Sequence, residues 1–177
     1  MSEPHTRSRL LAVLLAGILA LTACRDTGGE GEYFEVTGKL FVFNYRVARA
    51  TYLVVLMPLK PMREGETAVA TFENPAGGEP IVVRQRIWPK LEKTSIESPP
   101  LRCIVAHKPY AVTIRIEGAD GKVIQTIETT MASSQDQDVL PDKPLVVGPF
   151  YTPNPELAGH PDGHLPDTKK EPCPPAS

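Results

Sequence analysis

His160-Pro161-Asp162-Gly163-His164, with Asp167 just beyond, places two imidazoles and two carboxylates within eight residues. Those are ligands for zinc, copper or nickel. Against a metal site stands the setting, a proline-rich stretch that must organise its own ligands, with no glutamate or other base placed to activate water. The plainer alternative is a solvated, weakly metal-scavenging tail. His107 precedes Lys108-Pro109 at the start of a strand, and no serine or aspartate stands at a spacing that would make it a catalytic base. Gly-x-Ser-x-Gly, Cys-x-x-Cys and phosphate-cradling glycine loops are missing from the sequence. Glu64 and Glu66 fall in an Arg63-Glu64-Gly65-Glu66 turn, where charge normally serves solvation. Arg84 and Arg86 alternate with Val83 and Ile87 on the way to Trp88, which suits the outer face of a strand better than a cationic, aromatic-flanked binding strip. No catalytic residue, cofactor or enzymatic reaction is expected.

The N-terminus carries a different chemistry. Arg7 and Arg9 precede an apolar run over residues 10–23, and small residues close it, the order of a secretory signal. Fourteen residues fall short of the roughly 20 that a helix needs to cross a bilayer. A cleaved signal over residues 1–23 is therefore expected in place of a membrane span. The run ends in Leu21-Thr22-Ala23-Cys24, which resembles the lipobox of bacterial prolipoproteins. That resemblance implies that Cys24 takes a diacylglyceryl group and becomes the mature N-terminus, leaving Cys103 and Cys173 as the other two cysteines. An exported compartment allows these to pair, closing a loop of about 70 residues worth roughly 4 kcal/mol in chain entropy. The alternative keeps Cys103 as a small core residue in a Leu101-Cys103-Val105 alternation and Cys173 free, and spacing alone does not decide between them.

Removing residues 1–23 takes two of the 19 basic and one of the 21 acidic residues, leaving a net charge of −3. That mild acidity supplies no basic footprint for nucleic acid. Residues 24–32, rich in glycine and charge, read as a flexible tether with a root-mean-square reach of about 16 Å. Ten of the 19 prolines lie from Pro141 onward, and aliphatic residues thin out after Val147. Residues 153–177 accordingly read as a disordered, proline-rich tail, because little apolar area offsets the entropy of ordering them.

Between these ends the apolar pattern has period two. Tyr110, Val112, Ile114 and Ile116 share one face of a half-buried strand, with Thr113, Arg115 and Glu117 on the other. Gly118-Ala119-Asp120-Gly121 then turns the chain into a second strand with Val123 and Ile127 on one side, making a β-hairpin. Upstream, Phe34-Glu35-Val36-Thr37 and residues 39–43 form strands hinged at Gly38. Residues 51–57 are a continuous aliphatic run of the kind covered on both faces, ended by Pro58 and Pro61. Residues 68–72 and 81–88 pair around the Asn74-Pro75-Ala76-Gly77-Gly78 turn. Seven or eight short strands without a sustained helical period predict an all-β domain over residues 33–152. An antiparallel immunoglobulin-like sandwich leads, and a small barrel is second.

Tyr110-Ala-Val-Thr-Ile-Arg-Ile with Asp120-Gly-Lys-Val-Ile-Gln-Thr-Ile-Glu-Thr129, and upstream Val36-Thr-Gly-Lys-Leu40 with Ala50-Thr-Tyr-Leu-Val-Val-Leu56, is similar to the YbaY/YscW-like lipoproteins. That β-sandwich family includes type III secretion pilotins. The resemblance implies an envelope lipoprotein that binds or helps place other proteins and has no catalytic residues to carry over. The expected protein is thus anchored by the lipid on Cys24, faces the periplasm and works by contact with an envelope protein partner. Arg25 after the cysteine favours the outer membrane. The alternatives are a binder of small apolar molecules in a cavity lined by Leu53, Val55, Ile114 and Ile116, and a metal-binding protein using His160, Asp162, His164 and Asp167.

Overall fold

Tyr110, Val112, Ile114 and Ile116 are almost wholly buried while the residues between them are not, so the period-two pattern does build a strand with one inward face. The computed structural model describes residues 31–166 and 172–174. In chain order its strands are β1 (Phe34–Asn44), β2 (Arg49–Pro58), β3 (Thr67–Phe72), β4 (Ile81–Arg86), β5 (Thr94–Glu97), β6 (Pro109–Glu117) and β7 (Val123–Ala132). A two-residue pair follows, β8 (Val146–Val147) and β9 (Thr152–Pro153). Strands β1-β2-β5 form one antiparallel sheet and β4-β3-β6-β7 the other. Three and four strands, with crossings between sheets after β2, β4 and β5, give an immunoglobulin-like sandwich and no closed barrel.

The core joins the inward residues of both sheets. Tyr52 lies at its centre, stacked on Phe72 at 4.9 Å and touched by Phe41 at 4.7 Å, with Tyr110 at 6.3 Å. Both buried tyrosines find partners for their hydroxyls, as burial demands. Tyr52 donates to the Glu73 carbonyl at 3.0 Å. Tyr110 accepts from the Val105 amide at 2.9 Å, a tyrosine corner at the start of β6. Desolvation pushes both phenols above the usual tyrosine range, so they stay protonated.

Four local readings change. Gly38 is no hinge but the site of a bulge in one continuous strand, the register against β2 shifting between Val36 and Gly38. The apolar run in β2 is fully covered on one face only: Ala50, Tyr52, Val54 and Leu56 are buried, whereas Leu53 and Val55 remain partly exposed on the opposite face. In β7 a bulge opposite Ile116 and Glu117 turns Val123 out to 51% exposure and packs Ile124 against the core instead. Leu101-Cys103-Val105 is not an alternating strand, because Cys103 adopts φ 63°.

The C-terminal segment also differs from a loose tail over residues 154–166. Asn154 is buried, accepts from the Glu156 amide (3.1 Å) and donates to the Pro144 carbonyl (2.8 Å). Leu157 is buried beside it. Order here comes from one well-satisfied polar side chain and close backbone packing, neither of which needs hydrophobic periodicity.

Candidate functional site

Strands β1 and β7 are the outermost strands of their sheets on the same side of the sandwich, adjacent but unpaired. Side chains close this seam in places. At the start of β1, Gln125 imitates a strand partner: its Oε1 accepts from the Tyr33 (3.0 Å) and Phe34 (2.8 Å) amides, and its Nε2 donates to the Phe34 carbonyl at 2.9 Å. Halfway along, Lys39 Nζ donates to Thr129 Oγ1 (2.7 Å) and to the Thr130 carbonyl (2.9 Å). Beyond the strand, the Tyr45 hydroxyl donates to Gln135 Oε1 at 2.9 Å.

Between Lys39 and Tyr45 the seam stands open as a groove of about 420 Å³, floored by Phe41 and Phe43 and walled by Leu40 and residues 132–135. The phenylalanines sit there because β1 alternates them with Leu40 and Val42, and the register sets Phe41 beside Tyr52 and Phe43 beside Ala50. Phe41 packs its ring on Tyr52 and Tyr110, at 4.7 and 5.8 Å, so the floor is held by the core itself. Leu40, which alternates with the two phenylalanines along β1 and lines the same opening, is 44% exposed. Main-chain groups on the outer edge of β1, an apolar floor and a rim of serine, glutamine and lysine side chains suit an extended polypeptide, which hydrogen-bonds an edge and buries alternate side chains. The two sides of the groove lie some ninety positions apart in sequence, so no local pattern announces it.

The residues singled out from the sequence lie elsewhere. Cys24 falls outside the described residues. Cys103 is disulfide-bonded to Cys173, with Cα atoms 5.5 Å apart across 70 positions. His160, Asp162 and His164 form a docking turn. Gly163 donates to the His160 carbonyl (3.0 Å) and accepts from the Asp142 amide (3.0 Å), at φ 78° and so close to Pro141 that an added Cβ would fall 2.5 Å from that ring. Asp162 Oδ1 accepts from the His164 amide (3.1 Å), and His164 Nδ1 lies 3.7 Å from Asp142. Among the described residues no three histidine, cysteine or acidic side chains converge to hold a metal. Asp167 lies outside them.

His107 is a loop residue at φ 61°, its amide donating to the Ser133 carbonyl at 2.8 Å. Glu66 is not a solvated turn residue: it is 2% exposed, with Oε2 unpartnered. Arg84 is paired with Glu117 at 3.0 Å, and Arg86 covers the Trp88 ring at 4.2 Å, the behaviour of a strand's outer face. Leu53 and Val55 face away from Ile114 and Ile116, so these four do not line one cavity. Among the described residues no helix is long and apolar enough to cross a membrane.

The fold and the open seam define a β-sandwich with a groove between its two outermost strands. Compared with known proteins, the sequence matches no family model and no curated protein.

Proposed function

We propose that this chain is an envelope lipoprotein, anchored through Cys24 to the outer membrane and facing the periplasm. It holds an extended segment of a protein partner against the outer edge of β1. The single observation that carries the docking reading is the groove between β1 and β7, apolar at its floor and open beyond the Lys39 bridge. The Leu21-Thr22-Ala23-Cys24 motif and the resemblance to pilotin-type lipoproteins support the anchor and the role.

A photo-crosslinking residue at Leu40 should give a protein adduct in intact cells, whereas one at Glu128, exposed on the outer face of β7, should not. Ala132→Arg with Ser134→Arg, both at exposed positions, should abolish the adduct by filling the groove while moving Tm by no more than about 2 °C. An adduct indifferent to the two arginines would overturn the docking reading.

The anchor has its own test. Mass spectrometry of the membrane fraction should find a diacylglyceryl adduct on Cys24, and Cys24→Ala should release the protein or leave it uncleaved. A mature chain that begins elsewhere without lipid would refute it.

A further inference from the structure

Beyond the open end of the groove, β8 and β9 carry a turn, Gly148-Pro149-Phe150-Tyr151, closed by the Tyr151 amide on the Gly148 carbonyl at 3.2 Å. Phe150 is 87% exposed and Tyr151 59%. Hydration of a benzyl group is unfavourable, and Tyr151 bears the further cost of φ 53° in the left-handed region. Both are nonetheless displayed on a braced support. Leu145 donates its amide to the Arg46 carbonyl (2.9 Å), Asn154 donates to the Leu145 carbonyl (2.9 Å), and Thr152 Oγ1 donates to the Val147 carbonyl (3.0 Å).

The charged group that meets the tip is cationic. Arg46 lies 5.4 Å from the centre of the Tyr151 ring, and Arg49 opens β2 three residues later. Neither arginine joins an ion pair among the described residues. Glu156, in the segment after β9, is paired with Lys143. Exposed aromatic rings beside an arginine, on a rigid support, have the composition of an interface hot spot.

Resting on the docking reading above, we infer that Phe150, flanked by Tyr151 and Arg46, is the anchor of that interface and seats in an apolar pocket edged by carboxylates on the protein partner. Two observations favour a protein over a lipid surface. The chain that carries Cys24 joins the sandwich at Phe34, whereas the tip adjoins the far end of β1, about 30 Å away at the usual rise per residue. The tip is also continuous with the groove, since Tyr45 lines the groove and the next residue, Arg46, covers Tyr151.

The test places a photo-crosslinking residue at Phe150 of the full chain in its own cells, with Val82, 57% exposed on strand β4, as control. The expected result is a protein adduct from position 150 and none from 82, with the crosslinked site in an apolar segment flanked by aspartate or glutamate. Arg46→Glu should cut its yield about tenfold, the loss of one hot-spot contact, with Tm unchanged. Adducts with lipid only, adducts with a second copy of this chain, an adduct insensitive to Arg46→Glu, or no adduct would each overturn the proposal. If the Leu40 adduct persists in those cases, the groove stands without the tip; if both are lost, the docking reading falls as well.

Discussion

Ile114→Asp unfolds the sandwich. Ile114 is wholly buried in the middle of β6, set beside Ala70 on β3 and Ile127 on β7, so its side chain reaches the centre of the four-stranded sheet's inner face. The substitution removes an isoleucine worth about 2 to 5 kcal/mol when truncated and leaves a carboxylate with no buried cation to meet it. Together these costs equal or exceed the roughly 5 to 15 kcal/mol that hold an ordinary domain folded. Circular dichroism should lose its β signature at room temperature. One position along, Arg115 lies on the outer face, where it pairs with Glu117 at 3.5 Å in partial exposure, so Arg115→Gln should cost no more than about 1 kcal/mol. Equal sensitivity at the two positions would contradict the assignment of inner and outer faces.

Removing the Cys103–Cys173 bond should produce the second large effect. The bond closes a loop of 70 positions, and the chain-entropy cost it spares the folded state is roughly 4 kcal/mol. For a domain of this size that corresponds to a fall in Tm on the order of 10 °C, measurable by calorimetry of Cys103→Ser with Cys173→Ser. Peptide mapping without reductant should recover the two cysteines joined. Recovery of both as alkylated thiols would remove the bond and its contribution together.

The face of β6 was legible because burial there follows strict alternation, with Tyr110, Val112, Ile114 and Ile116 all inside. Val123 and Ile124 were not, because a bulge is a backbone event and either residue is apolar enough to be the one inside. The same ambiguity governs β2, where Leu53 and Val55 look like core in sequence but occupy the less covered face. Strand β5, only Thr94-Ser95-Ile96-Glu97, offers a single apolar residue to a periodicity argument, yet Ile96 is wholly buried. Glu66 was hidden for the opposite reason, since a carboxylate in a glycine turn carries no sign that its neighbours will enclose it. His160 and His164 have the side chains of metal ligands, whereas the glycine between them supplies the close backbone approach that docks the segment. The groove joins two stretches that meet only when the sandwich closes.

The clasp formed by Gln125 also has a mechanical meaning. Tension entering through the chain upstream of Phe34 and opposed at the Phe150 end runs along the axis of β1. It therefore loads the ten residue pairs of the β1–β2 ladder in shear, all at once, instead of peeling them one after another. The three hydrogen bonds of Gln125 stitch the loaded end of that strand to the opposite sheet, spreading the pull into both layers. Rupture under force is governed by the unfolding barrier rather than by equilibrium stability, and simultaneous failure of a ladder raises that barrier. A sandwich loaded this way behaves as a stiff link along the axis of β1.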